Sequence, residues 1–343
     1  MPSPLGAASP QVRADRRTGS HLVAAVLRQE MMRDESIVVF GEDVAKLGGV
    51  FGATRGLVGQ FGTRRVFDTP VSETAFVGMA VGAAQAGLRP VVELMFVDFL
   101  GVCFDQILNQ LAKNTYMSGG RVRVPAVLRT AVGCIGSAAQ HSQVLSATFA
   151  HIPGLKVVYP GSPGDLQGLL VTAIRDNNPV VFLEHKWLLK TRLPDLTFND
   201  VQPAGEIEAR PFGQLRRLRE GTDVTIVTAG YLVQLALLAA SELEADGISA
   251  GVLDLRTLVP LDRDGLAREA REAPCLLVVD DDYQSYGMTG EVMATIAERL
   301  SRAAPVMGRH AVDVPIPAAA VLETEVVPSV TSIGQAVRAL VKG

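Results

Sequence analysis

The stretch RVFDTPVSETAFVGMAVGAAQAGLRPVVE, residues 65–93, decides how the chain is read. Val66-Phe67 is a short buried strand that runs into the turn DTPVSE (68–73). A helix dense in small residues follows (Gly78, Ala80, Gly82, Ala83, Ala84), and PVVELMF (90–96) is a second strand. Glycine is unfavourable inside a helix unless its small size is needed, so this helix predicts close approach of another helix or a ligand. The same beat continues on both sides. Upstream, a helix from Ser20 to about Arg33, with Ser20 as its cap and Leu22, Val23, Val26, Leu27 and Met31 as its apolar stripe, precedes the strand IVVF (37–40) and Gly41-Glu42-Asp43. Downstream come a long helix from about Phe99 to Asn114 and the strand VPAVLRT (124–130). The loop AVGCIGSAAQHS (131–142), LKVVYP (155–160), a helix over 162–176 and PVVFLEH (179–185) complete the set.

Aliphatic strands alternating with helices imply an α/β fold whose parallel sheet is covered on both faces. A Pro-bearing stretch of mixed charge (Leu188 to about Arg210) reads as a connection, after which the pattern restarts at DVTIVTAG (223–230). The division expected is a flexible tail over 1–19, a larger α/β domain over 20–190, a linker over 191–210 and a smaller α/β domain over 211–343.

Hydrophobic residues make up 48% of the 343 and charged residues 20%, the balance of a folded chain rather than a disordered one. The 32 basic against 36 acidic residues leave no basic surplus for nucleic acid. A mean hydropathy of +0.25 with only 5% aromatics comes from small and aliphatic side chains, which points to close helix packing or a subunit interface. Cys103, Cys134 and Cys275 form neither a CxxC pair nor a metal cluster, and they read as buried hydrophobes of a reduced, cytoplasmic protein. Neither a membrane-length apolar run nor a signal-peptide core is visible. GxGxxG after a strand, a Walker A loop, HExxH and GxSxG are all absent, so the chemistry relies on a cofactor or a second chain.

Seven stretches carry a resemblance: GEDVA (41–45), the segment 65–93, FDQILNQLAK (104–113), YMSGG (116–120), AAQHSQ (138–143), HIPGLKVVYP (151–160) and AIRDNNPVVFLEHK (173–186). In this order they resemble the β subunits of the thiamine-diphosphate-dependent 2-oxo acid dehydrogenases, of pyruvate or acetoin type, in the transketolase-like superfamily. The resemblance implies a pyrimidine-binding domain over 20–190 followed by a transketolase C-terminal-type domain. It implies an α2β2 heterotetramer with thiamine diphosphate between α and β chains. The α subunit would hold the diphosphate and magnesium through a GDG motif, which this sequence lacks. The reaction implied is decarboxylation of a 2-oxo acid, with acetoin as the other small substrate, then reductive acylation of a lipoyl group on an acyltransferase core. A branched-chain enzyme, a biosynthetic acyl-transfer subunit and a non-catalytic scaffold are the rival readings.

From the residues alone, Glu73 is a first-turn helix acid interacting with the dipole. The resemblance places it in the TPxSE motif (Thr69–Glu73), as the acid that bonds the cofactor's pyrimidine ring. A carboxyl shielded from water suits that proton relay. The resemblance also assigns Met95 and Phe99 to the aminopyrimidine ring and His141 to the substrate channel. It assigns a structural potassium ion to Ala126, Ala173, Ile174, Asp176 and Asn178, where a helix C-terminus offers oxygen ligands. The same segment also reads as a helix-stop turn at Asn177-Asn178-Pro179. GCIGSAA (133–139) and the TAF that follows Glu73 depart from the family pattern.

Overall fold

The computed structural model describes residues 15–203, 205–300 and 305–342. The first half runs α1 (Gly19–Arg33), β1 (Ile37–Gly41), α2 (Leu57–Phe61), β2 (Val66–Asp68), α3 (Glu73–Gln85), β3 (Arg89–Phe96) and α4 (Ala112–Met117). It continues through β4 (Val127–Val132), α5 (Ser146–Ala150), β5 (Lys156–Val158), α6 (Pro163–Arg175), β6 (Val180–His185) and α7 (Lys186–Lys190). The second half contains β7 (Arg216–Arg219), β8 (Val224–Thr228), α8 (Leu232–Leu243), β9 (Ala250–Asp254), β10 (Thr257–Val259) and α9 (Arg263–Glu272). It ends with β11 (Leu276–Tyr283), α10 (Met288–Arg299), β12 (Val306–Ala311), α11 (Ala320–Val326) and α12 (Val330–Lys342).

Two mostly parallel sheets result, the α/β architecture expected. The larger has the order β10-β5-β6-β4-β3-β1-β2 and the smaller β12-β11-β8-β9-β7. β1, β4 and β6 are buried along their whole length, as strands covered on both faces must be. Alternate residues feed two cores: Val39 and Val91 join α1 and α6, whereas Val38, Phe40 and Val92 join α3. Both cores also take residues from the second half, such as Leu235 and Val278 respectively, so the halves are packed together. α6 starts where the sequence says it should, with Pro163 in its first turn and Ser162 Oγ accepting from the Asp165 N–H at 3.2 Å.

Three expectations change. Thr18, not Ser20, precedes the first helix, its N–H donating to His21 Nδ1 at 3.1 Å, while Ser20 Oγ donates to the Leu189 carbonyl at 3.0 Å. The single helix expected over 99–114 is instead a 3-10 turn (Val97–Gly101), a π-helical turn (Gln106–Leu111) and α4. Thr74 Oγ1 takes the Val102 carbonyl where the helix breaks, and Gly78 of α3 meets Gln106 so closely that a Cβ would lie 2.9 Å from its Oε1. The small residues of α3 thus admit a neighbour at Gly78, as foreseen. Finally, β10 leaves the second half to pair antiparallel with β5 of the first.

Candidate active site

The strands β2, β1, β3, β4 and β6 run parallel, so their C-terminal ends share one edge. From β1 the chain moves to β2 on one side, and from β3 to β4 on the other. The order therefore reverses between β1 and β3, and such a reversal opens a crevice at the strand ends where ligands bind. Glu42 follows β1, Glu73 begins α3 after β2, Met95 and Phe96 close β3, Phe99 sits in the 3-10 turn after it, and His141 lies beyond β4.

Glu73 is 8% exposed, and its carboxylate makes neither a hydrogen bond nor an ion pair with any described residue. Its neighbour is Glu42, 7% exposed, which accepts from the Ser72 N–H but leaves Oε1 without a partner among the described residues. Burial first, then the charges of Glu73 and Asp43, push the Glu42 carboxyl above its ordinary value. Burial and the same Glu73 push the Cys103 thiol up to about 12. A neighbouring negative charge out of water favours the protonated form of Glu42. The first residue of a helix has thus become a buried acid with a free hydrogen-bonding edge.

Beside this pair lies an aromatic cluster. Phe96 packs edge-on against Phe51 (6.1 Å between centroids), Phe99 (5.7 Å) and His141 (5.1 Å), and Phe99 meets His141 at 5.7 Å. Met95 is half-buried at the end of β3. A cleft of about 820 Å³ runs outward from Phe99 between the halves, walled by Asp98, Gln140 and Gln143 on one side and Tyr283, Ser285 and Asp313 on the other. Behind the His141 loop, Lys186 is fully buried, and its ammonium donates to the carbonyls of Gly133 (2.9 Å) and His141. His185 faces Asp281 of the second half at 3.3 Å, which places it at the domain junction. The structure therefore forms two groups along the edge, Glu73 with Glu42 and His141 with Phe96 and Phe99.

Residues 17–191 match the transketolase pyrimidine-binding domain and residues 213–333 the transketolase C-terminal domain. The β subunit of acetoin:2,6-dichlorophenolindophenol oxidoreductase from Cupriavidus necator is 44% identical over 333 residues, covering 92% of this chain and 94% of that one. The β subunit of the pyruvate dehydrogenase E1 component from Rickettsia conorii is 44% identical over 315 residues, covering 91% and 94%. The chain belongs to the family of pyruvate and acetoin dehydrogenase E1 β subunits. Among solved structures, a split-gene transketolase described as an inactive β4 tetramer superposes with a TM-score of 0.77 at 22% identity, covering 95% of this chain and 98% of its own. Transketolase from Pichia stipitis gives 0.69, and this chain spans 47% of its length. These two likenesses concern the fold alone.

As an E1 β-family member the chain was expected to gather carbonyl oxygens around potassium. Of the oxygens assigned to it, the carbonyls of Ile174 and Asp176 lie against Arg89. The Arg89 guanidinium donates to the carbonyls of Ile174 (3.0 Å) and Asp176 (2.9 Å) and to Asn177 Oδ1. The Ala126 carbonyl accepts from Val180 N–H at 2.9 Å, and that of Ala173 from Asp176 N–H at 3.3 Å. The Asp176 carboxylate pairs with Lys156 and accepts from the N–H and Nδ2 of Asn178. Arg89 thus brings a positive charge to this helix end.

Sequence reasoning passed over Glu42, Phe96 and Lys186. Glu42 had a signal, an acid directly after a buried strand. Phe96 was hidden inside an apolar run, and no sequence signal marked Lys186 as buried.

Proposed function

We propose that this chain is the β half of a thiamine-diphosphate-dependent enzyme that decarboxylates pyruvate or a closely related small 2-oxo acid, or cleaves the carbon–carbon bond of acetoin. The observation that carries the reading is the buried, unpartnered carboxyl of Glu73 at the crevice between β1 and β3. Bound there, the cofactor would supply the nucleophilic carbon that adds to the substrate carbonyl and takes up the electrons released on cleavage. Glu73 would bond the pyrimidine ring and exchange a proton at its carboxyl oxygen. Met95 and Phe99 would pack against that ring. His141 would give or take a proton at the reacting oxygen or at an arriving lipoyl sulfur. The diphosphate and magnesium fall to an α subunit, giving an α2β2 assembly, and a lipoyl acyltransferase core would receive the acyl group. A cytoplasmic setting suits the three buried thiols. Among the described residues no helix is long and apolar enough to cross a membrane.

The test is co-expression with an α subunit of the same family and assay of thiamine-diphosphate-dependent turnover on a panel of 2-oxo acids and acetoin. Turnover needing both chains supports the reading and names the substrate. A well-formed complex that binds the cofactor and turns over none of the panel removes it and leaves acyl transfer or a scaffold.

Potassium has its own test. With Arg89 holding the carbonyls of Ile174 and Asp176, exchanging potassium for choline should lower the melting midpoint by less than about 2 °C, because about 1 kcal/mol corresponds to 2–4 °C in a domain of this size. A larger fall, restored by potassium, would make the ion a structural component alongside Arg89.

A further inference from the structure

The loop from Gly133 to Leu145 carries His141 in a backbone shape that side-chain-bearing residues avoid. Ala138 has φ 61° and ψ −175°, and Leu145 has φ 52°. Such conformations persist only where the surroundings fix them. Asp98 accepts from the N–H and Nε2 of Gln143 at 3.2 and 2.9 Å, and Glu323 of α11 accepts from Gly136 N–H at 2.8 Å. Gly133 itself has φ +87°, and a Cβ there would lie 2.2 Å from His185 Nε2. The remaining anchor is Lys186, which bonds both Gly133 and His141 and whose Nζ sits 4.9 Å from the centroid of Phe96. No carboxylate of the described residues pairs with it. A buried ammonium satisfied by two carbonyls and a ring face is costly to keep, and methionine would fill the space without that cost.

We propose that Lys186 is a positioning residue: its ammonium ties Gly133 to His141 over the face of Phe96 and so holds the imidazole against Phe96 and Phe99. The proposal rests on the assignment of His141 to the reaction. Burial pushes Lys186 down to about 8, with Asp98, Cys134 and Glu323 opposing the fall. Those three, with His141 on the loop and His185 beside Gly133, are the titratable groups around it. Above that pH the charge goes and the tie weakens. Stability responds in the opposite sense. The folded value lies below the ordinary 10.5, so the unfolded chain binds more protons between the two and overall stability rises with pH across that window. Loop order and global stability therefore diverge as pH rises, whereas a lysine that merely filled space would leave loop order indifferent to pH.

The experiment is hydrogen exchange of residues 133–145 in the assembled αβ complex, at several pH values, for wild type, Lys186→Met and Lys186→Arg, with kcat and thermal midpoint alongside. Lys186→Met should lose about 10–100-fold of loop protection, the factor expected when bonds to a charged donor are removed. Its kcat should fall in parallel with KM little changed, and its midpoint should stay level or rise. Lys186→Arg, whose guanidinium does not titrate, should keep the loop ordered to higher pH. Should Lys186→Met fail to fold, wild type alone decides: protection confined to 133–145 must fall as pH passes 8. Protection in Lys186→Met equal to wild type, or wild-type protection indifferent to pH, overturns the proposal. Exchange needs no turnover, so a complex inactive on every substrate defeats the functional reading while the Lys186 result still stands on its own.

Discussion

Glu73→Gln is expected to lower kcat of the assembled enzyme by about 10²–10⁴-fold, the range general acid–base catalysis supplies, with α-subunit assembly and cofactor binding retained. Glutamine keeps the size of the side chain and one hydrogen bond but holds no exchangeable acid proton. The competing account is a first-turn acid on the α3 dipole, worth about 0.3–1 kcal/mol. That account moves a melting curve slightly and leaves turnover alone. Glu42 sharpens the contrast. Its carboxyl is raised by burial and by Glu73, so it binds protons more tightly folded than unfolded, and that contribution fades as pH rises through its raised folded value. Removing the Glu73 charge relieves the pair, so the variant should melt no lower than wild type at pH 7. Turnover within threefold of wild type, measured beside the melt and a gel-filtration profile, would end the catalytic role.

Arg129→Met is expected to give the largest loss of stability. Arg129 is 1% exposed in the middle of the larger sheet, bonded to Glu93 at 2.8 Å and to both oxygens of Glu184 at 2.7 Å. Burial opposes the charge on the guanidinium, and the two glutamates more than offset it; burial pushes Glu184 up in spite of Arg129. Removing one partner of a buried pair leaves uncompensated charge and costs about 3–5 kcal/mol. At about 2–4 °C per kcal/mol the midpoint should fall by roughly 10 °C. The stranded carboxyls then prefer to be protonated, so the deficit should shrink as pH drops from 8 toward 5. A midpoint within 2 °C of wild type, read by calorimetry across that range, would show that the triad does not hold the sheet.

How much of this was legible depended on range. The beat of aliphatic strand and helix is local, and IVVF, PVVELMF and PVVFLEH took their places because apolar runs of that length have few alternatives. Ser162-Pro163 announced α6 in two residues. The break at 97–117 was invisible because its causes, the Thr74 bond to Val102 and the fit of Gly78 against Gln106, come from another helix. The Glu93–Arg129–Glu184 triad is scattered through the chain and meets only when β3, β4 and β6 align, with Glu93 opposite Arg129. At the site, Glu73 and His141 stood out through resemblance. Glu42 and Lys186 needed the fold, since acids after strands and lysines at helix starts usually face water.

The pairing of β10 with β5 has a consequence for the growing chain. Thr257–Val259 completes the edge of a sheet whose other strands end at His185. During synthesis the backbone of β5 therefore waits, open and able to pair wrongly, until more than a third of the second half has left the ribosome. The first half therefore gains its last edge strand only from the second.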